Sequence, residues 1–262
     1  MRLETLLRQG AVLALWLAVW AAAAALVGHT LLLPSPAETA RALWTLVRQG
    51  DFWRGALASV GRIFAGFAAG LCLGALLAAL SARFAFCRAF FAPMLSVIKA
   101  TPVASFIVLA LVWLRTNGVP VFATVLVVLP VACANVSAGL AAMDRDLLEM
   151  ARAFGLSRRA QAVRVVVPAL SPYLRAAVTA GMGMAWKAGV AAEVLCLPAN
   201  ALGTTLYEAK IYLDTPALFA GTAVVIALSI LLEKAVVRMA YGKEGGGRAR
   251  VGSARGEPTA GR

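Results

Sequence analysis

Two ionisable residues, Lys187 and Glu193, lie within an otherwise apolar stretch of about twenty residues, a length that crosses a bilayer. Charged side chains inside a membrane are costly and mark functional sites by default. The two residues are about 120° apart around a helix, so they do not face each other, whereas Trp186 shares the face of Glu193. Two hypotheses stay open: the three residues line a solute pathway in which Lys187 attracts an anion, or the charges pair with other helices or extend toward the membrane surface.

Catalytic and metal-binding patterns are missing from the rest of the sequence. The single histidine, His29, has no partner, and there is no HExxH motif, no carboxylate pair at helical spacing in a span and no GxxxxGK[ST] phosphate-binding loop. The four cysteines form no CxxC pair and lie mostly in apolar runs, which predicts neither a disulfide nor a zinc site. We therefore predict no catalytic residue, no cofactor and no metal, and the chain cannot cradle nucleotide phosphates in the P-loop manner.

The composition indicates an integral membrane protein. Of the 262 residues, 61% are hydrophobic and 14% are charged, with a mean hydropathy of +0.83. The net charge of +13 comes from basic residues that lie between apolar runs and in a Gly-rich tail. That distribution is typical of the positive-inside rule and not of a nucleic-acid-binding surface. The bilayer is the expected environment, and no nucleic-acid partner is expected.

Six stretches are long and apolar enough to cross a membrane, some of them marginally. We interpret the first as a retained anchor, because its apolar core is longer than that of a signal peptide. Pro93 and Pro102 should bend or break the chain leading to the third span, and Pro130 should kink the fourth. An amphipathic helix capped by Ser35 and starting at Pro36 follows the first span. The predicted spans are residues 10–33, 62–80, 103–114, 119–140, 174–197 and 217–237.

Three glycines in the second span, Gly66, Gly70 and Gly74, repeat at a spacing of four residues. This spacing lines one stripe of a helix and lets another helix approach closely. The partner helix belongs either to the same chain or to a second copy, and an alanine-rich composition could also scatter small residues without such a role. The sequence predicts helix packing at these three positions.

The distribution of arginines predicts the orientation. The loop between spans four and five and the tail are both basic and are separated by two spans, so both are expected in the cytoplasm together with the N-terminus. Arg41, Arg48 and Arg54 oppose this assignment, because it places them outside. Residues 1–240 thus form the membrane domain, and residues 241–262 form a tail expected to be disordered.

The loop between spans four and five is a predicted helical hairpin. Asp144 or Asp146 begins its first helix, and Gly155 suits the left-handed backbone that ends one. Ser157 is a good cap for a second helix, which is expected to end just before Pro168. Two short helices joined at a glycine are expected to form a compact hydrophilic hairpin.

This hairpin resembles the signature loop of permease subunits of ATP-binding-cassette importers. The family pattern is Glu-Ala-Ala, three residues, Gly, nine residues, then Ile-x-Leu-Pro. Glu149, Ala151 and Gly155 match it in identity and spacing, and Val165 and Pro168 stand at the positions of the isoleucine and the proline. The departures are a methionine at the second position and valines in place of isoleucine and leucine.

The resemblance extends over nearly the whole chain except the tail. The stretches "PSPAET", "AWKAGVAAEVL" and "LDTPALFA" look like the branch that imports nitrate, taurine and sulfonates. The resemblance implies an all-α integral membrane protein with six transmembrane helices and a coupling helix, within residues 141–170, on the cytoplasmic side of a bacterial inner membrane. Phe154 would be the apolar anchor of that helix and Ser157 the cap beside it.

The partners are also implied by the resemblance: a dimeric ATPase subunit that grips the coupling helix, an extracytoplasmic solute-binding protein, and a second copy of this chain. The loop over residues 198–216, with Glu208, Lys210 and Asp214, is a candidate docking surface for the binding protein. The solute would be a small anion such as nitrate or a sulfonate, or a vitamin precursor. A membrane-embedded enzyme and a secondary transporter are the alternatives, but the sequence has no convergent catalytic groups and no internal repeat.

Overall fold

The computed structural model describes residues 2–241, so the predicted tail lies, from residue 242 onward, outside the described residues. Within that part all the regular secondary structure is helical and there is no strand, as predicted. A π-helical turn, Ala162–Val166, joins the eighth helix to the ninth. The α-helices are α1 (Arg2–Val27), α2 (Pro36–Val47), α3 (Gly50–Arg83), α4 (Ala85–Ala100), α5 (Val103–Ala110), α6 (Val119–Ala141), α7 (Arg145–Ala153), α8 (Arg158–Gln161), α9 (Val167–Cys196), α10 (Leu202–Ile211) and α11 (Thr215–Tyr241).

Five stretches of helix among the described residues are long and apolar enough to cross a membrane, and a bent helix pair brings the number to six if it counts as one span. The bent pair is α4 and α5, which meet at an angle of 102°. The prediction of six spans therefore agrees with the upper of these two numbers. The five stretches are Gly10–Val27, Gly50–Arg83, Val119–Ala141, Arg158–Cys196 and Thr215–Ala240.

The third predicted span, residues 103–114, is wrong in its extent. Helix α5 has 8 residues, which at about 1.5 Å per residue is about 12 Å and too short to cross about 30 Å of hydrocarbon. Pro102 separates it from α4, since the residue before a proline is disfavoured in the helical region and Thr101 is extended, with ψ 131°. Pro93, by contrast, lies inside α4 without breaking it.

Other span boundaries differ because the ends of a helix need not coincide with the ends of its apolar stretch. The second predicted span, 62–80, is the inner part of α3, whose 34 residues extend about 51 Å. The first predicted span, 10–33, ends earlier, at Val27, because Gly28 adopts a left-handed φ of 66° that terminates the helix. Hydropathy marks apolar residues, whereas a helix ends where its backbone hydrogen bonding ends.

Helix α2 begins as predicted, with a complete capping box. The Ser35 hydroxyl accepts from the Glu38 amide at 3.2 Å, and the Glu38 carboxylate accepts from the Ser35 amide at 2.8 Å. The hydrogen bond from the Ser35 amide, followed by the one that the Ser35 hydroxyl donates to the same carboxylate at 2.9 Å, lowers the pKa of Glu38 from its usual value. Helix α2 packs against α11, the last helix of the described chain.

The core lies where α3, α6 and α9 pack against one another. Ile63 and Phe67 of α3 meet Val128 of α6 and Met182 of α9 in one buried apolar cluster. Trp186 belongs to the same cluster, and its indole Nε1 donates to the Val225 carbonyl of α11 at 3.1 Å. This hydrogen bond attaches α11 to the bundle of three helices.

The three glycines of the second span pack against α6 of the same chain. A β-carbon at Gly66 would lie 2.6 Å from the Val121 carbonyl oxygen, and one at Gly74 would lie 2.5 Å from the Leu129 carbonyl oxygen. A β-carbon at Gly70 would lie 2.8 Å from Cβ of Val128. Because such distances are too short for any side chain, the stripe sets how closely α3 and α6 approach.

Candidate functional sites

The turn that ends α7 is held by its backbone. Helix α7 starts at an N-cap, Asp144, whose carboxylate accepts from the Asp146 amide at 2.9 Å. At the other end the amide of Gly155 donates to the Arg152 carbonyl at 2.9 Å, and the next amide, of Leu156, donates to the Ala151 carbonyl at 3.1 Å. These two bonds form a Schellman motif. Gly155 has φ +71°, the left-handed conformation that was predicted for it.

Ser157 caps α8, its hydroxyl accepting from the Ala160 amide at 3.3 Å. The prediction that the second helix ends before Pro168 is wrong. A π-helical turn carries the chain into α9, with the Val167 amide donating to the Ala162 carbonyl five residues earlier. The wider turn relieves the clash of the proline ring with the carbonyl four residues before it, so the hairpin is continuous with a membrane-spanning helix.

The outer surface of the hairpin carries exposed apolar side chains. Phe154 is 77% exposed, and Leu147 and Met150 are also exposed, so the three form an apolar strip along α7 and its C-cap. Ala151 faces inward and is buried, with α7 packed on α8 and on the π-helical turn. The same hairpin and the π-helical turn after it carry exposed charged side chains at Glu149, Arg152, Arg158, Arg159 and Arg164. An apolar centre with a charged rim is the anatomy of a protein docking surface.

The residues of the permease signature motif lie in two parts of the structure, the hairpin itself and the start of the helix that follows it. Glu149 is exposed on α7, and Gly155 and Ser157 form the turn itself. Val165 lies half-buried in the π-helical turn, and Pro168 is exposed in the first turn of α9. The motif thus spans the hairpin from its tip to the base of the helix that carries it into the membrane.

Glu193, near the other end of α9, is fully buried and forms an ion pair with Arg62 of α3. Nη2 of Arg62 lies 3.1 Å from Oε1 of Glu193, and Nε lies 3.2 Å from the same oxygen. The second carboxylate oxygen accepts from the Ser59 hydroxyl at 2.7 Å and from the Gly203 amide at 3.2 Å. Every lone-pair direction has a donor nearby, which is the condition for burying a charge.

The same cluster holds the chain that follows α9. Arg62 donates from Nη2 to the Asn200 carbonyl at 2.8 Å and from Nη1 to the Ala199 carbonyl at 3.4 Å. The Leu202 amide donates to the Ser59 hydroxyl at 2.9 Å. This connection needs such support because Leu197, which caps α9, has a left-handed φ of 51° that a leucine rarely adopts. One arginine and one carboxylate therefore hold α3, α9 and the start of α10 together.

The three residues singled out in span five do not form one site. Trp186 and Glu193 are buried on the side of α9 that packs on its neighbours, whereas Lys187 is exposed. Pairing with another helix therefore describes Glu193 and not Lys187. Ser59 and Arg62 were not singled out from the sequence. The sequence did contain a signal for Arg62. An arginine in one predicted span and a carboxylate in another are expected to pair, because an unpaired charge in a membrane is costly.

The structure is a bundle of membrane-crossing helices, and its longest helical stretch, Arg158–Cys196, begins in a hydrophilic hairpin. This architecture fits a membrane-spanning transport subunit. The chain belongs to the family described as "Binding-protein-dependent transport system inner membrane component", whose sequence pattern matches residues 70–239. It is an ABC importer permease of the nitrate, taurine and sulfonate branch.

Three relatives illustrate the range of this branch. The riboflavin transport system permease protein RibX of Chloroflexus aurantiacus is 29% identical over 237 residues, covering 86% of this chain and 87% of the relative. The taurine transport system permease protein TauC of Escherichia coli is 25% identical, covering 84% and 82%. The nitrate import permease protein NrtB of Synechococcus elongatus is 25% identical, covering 70% and 69%.

Proposed function

We propose that residues 144–161, the coupling hairpin, dock on a separate ATPase subunit and transmit its movement to the membrane helices. The observation that carries this proposal is the combination of an exposed Phe154 with a turn locked by Gly155. An exposed aromatic side chain at the tip of a charged hairpin fits a groove on a partner, and aromatic residues dominate the energetics of such contacts.

The path of the movement follows from the connectivity. The coupling hairpin continues through the π-helical turn into α9, and α9 packs on α3, α6 and α11. A displacement of the tip therefore acts directly on the helix that ends at the Arg62–Glu193 pair. We propose that this pair closes the bundle on the opposite side of the membrane and that two copies of the chain enclose the solute pathway.

The partners and orientation follow the same proposal. The N-terminus, the coupling hairpin and the tail face the cytoplasm, and the loop around α10 faces outward, toward a solute-binding protein. Exposed Tyr212 and Leu213 next to the charged Glu208, Lys210 and Asp214 give that loop a mixed surface suited to transient docking. The solute is a small anion such as nitrate or a sulfonate, with an uncharged heterocyclic vitamin precursor as the second candidate.

The test measures solute uptake and ATPase co-purification with variants of the coupling hairpin. Gly155→Pro and Glu149→Lys are expected to abolish transport while the protein still inserts into the membrane. Glu233→Lys is the control, because it makes the same charge reversal on an exposed position of α11. Wild-type uptake by both hairpin variants would exclude the coupling role.

Orientation has its own test. With Cys72, Cys87, Cys133 and Cys196 replaced by serine, a Ser157→Cys variant should react with a membrane-impermeant thiol reagent in inside-out vesicles and not in right-side-out ones. Reaction from the extracytoplasmic side would place the hairpin away from any ATPase and would end the proposal.

A further inference from the structure

A cavity of about 430 Å³ lies where α4 and α5 meet, bounded on its other sides by α6 and α9. It exists because the chain bends by 102° between α4 and α5, which leaves the side of α6 around Pro130 uncovered. Its volume is within the range of small-molecule sites. The residues that matter for its chemistry are Lys99, Thr101, Phe106, Asn135 and Met184.

Lys99 is the one ionisable residue in the cavity lining. Among the residues whose side chains the structure describes, no carboxylate lies within 4.0 Å of the Lys99 ammonium group. Lys99 is exposed, so its ammonium group can be reached by a solute, and the apolar lining beside it lowers the local dielectric and strengthens its attraction for an anion.

Asn135 adds a neutral donor on the side of the cavity that α6 forms. Its Nδ2 donates one hydrogen bond, to the Val131 carbonyl at 2.9 Å, and the amide group carries a second N–H. Phe106 and Met184 provide the apolar part of the lining. A cation, an amide donor and apolar walls suit a small organic or inorganic anion such as a sulfonate.

The positive charge continues along α9. Met184 lines the cavity, and Lys187 follows it by three residues, so the two share a face of the helix. Lys187 is exposed on that face, like Ala191 one turn further along. Lys99 lies in the cavity, and Lys187 lies on the cavity-facing side of α9, closer to the end of that helix that carries Glu193.

We propose that this cavity is a contact site for an anionic solute during its passage, with Lys99 as the primary contact and Lys187 as the next one along α9. The inference rests on the transport function proposed above and assigns a contact site to the anion named there. The charges that attract the anion are then Lys99 on α4 and Lys187 on α9. Glu193, which is buried, has no contact with the solute. The competing roles for Lys99 are neutralising the C-terminal end of α4 and binding a lipid phosphate.

The experiment measures the charge selectivity of the cavity with two thiol reagents of opposite charge. Ala134, which lines the cavity and is exposed, is replaced by cysteine in the complete transporter after Cys72, Cys87, Cys133 and Cys196 have been replaced by serine. Membrane vesicles are treated with sulfonatoethyl methanethiosulfonate, an anion, or trimethylammonioethyl methanethiosulfonate, a cation. Neither reagent crosses the membrane, so both label only thiols that are reached from water, and each rate is divided by the rate of that reagent with a free thiol.

The expected anion-to-cation ratio is above one and falls by about fivefold or more in Lys99→Met, because one unit charge at this range changes the two rates in opposite directions. Lys99→Arg should keep the ratio, and Lys234→Met, the loss of an exposed lysine of α11 outside the cavity lining, should leave it unchanged. An unchanged ratio in Lys99→Met overturns the proposal. So does an absence of labelling from either side, which would mean that lipid or protein covers the cavity.

The labelling is read on the membrane chain itself. A coupling hairpin that fails to hold an ATPase subunit would leave the ratio measurable, whereas a failed labelling test would leave ATPase co-purification unaffected. The two proposals therefore fail independently.

Discussion

Arg62 and Glu193, 131 positions apart in the sequence, form an ion pair in which the carboxylate side chain is 0% exposed and the guanidinium side chain is 16% exposed. Removing the arginine alone leaves a buried charge without its partner, which costs about 3–5 kcal/mol. Arg62→Met should therefore lower the thermal unfolding midpoint of the purified permease strongly. Arg62→Met combined with Glu193→Gln should recover part of the loss, because a neutral amide still accepts from Ser59.

The control for this prediction is the other ion pair. Arg54 and Asp51 are 3.1 Å apart, but their side chains are 80% and 89% exposed, so Arg54→Met should change stability by less than about 1 kcal/mol. If Arg62→Met and Arg54→Met unfold at the same temperature, the buried pair does not hold the helices together.

Gly74→Ala should destabilise the protein. The new β-carbon would lie 2.5 Å from the Leu129 carbonyl oxygen, and forcing α3 away from α6 costs about 1–3 kcal/mol. Gly61→Ala is the matched control on the same helix, since a β-carbon there meets nothing within 4 Å. Alanine in a helix interior is better than glycine by about 0.5–1 kcal/mol, so Gly61→Ala should be neutral or stabilising. Equal unfolding midpoints for the two variants would contradict a close approach of α3 and α6.

Gly155 should tolerate asparagine better than valine. A β-carbon at Gly155 has open space around it, so the penalty comes from its φ of +71° alone. Asparagine adopts this conformation readily, whereas a β-branched residue is strongly disfavoured there. Solute uptake in cells should be nearly retained in Gly155→Asn and largely lost in Gly155→Val. The opposite order would show that the size of residue 155, and not its backbone, matters.

Phe154→Ala should weaken the binding of the ATPase subunit. Truncating a central aromatic anchor costs about 2 kcal/mol or more, which is about thirtyfold in affinity, and the loss should appear as reduced co-purification. Tyr212→Ala removes an aromatic side chain of similar exposure, 79% against 77%, from the loop after α10. Retention of the ATPase by Phe154→Ala at the level of Tyr212→Ala would remove Phe154 from the interface.

Local features of the fold were predictable where the chemistry lies within one turn of the chain. The capping residues Ser35, Asp144 and Ser157 act on amides two or three positions away, and Gly155 bends its own backbone. The helix boundaries at Pro102 and Pro168 were less predictable. A proline is compatible with a break, as before α5, or with a π-helical turn, as before α9, and the surrounding packing selects between them.

The sequence by itself determined that this protein is a helical membrane protein, that a charged hairpin interrupts its apolar spans, and where that hairpin turns. These properties depend on transfer free energy and on backbone preferences, which act residue by residue or within a few neighbours. Only the tertiary structure decided that Gly66, Gly70 and Gly74 lie against α6, that Arg62 neutralises Glu193, and that Lys99 lines a cavity beside Met184. Each of these contacts joins residues far apart in the sequence, and their proximity depends on how whole helices pack.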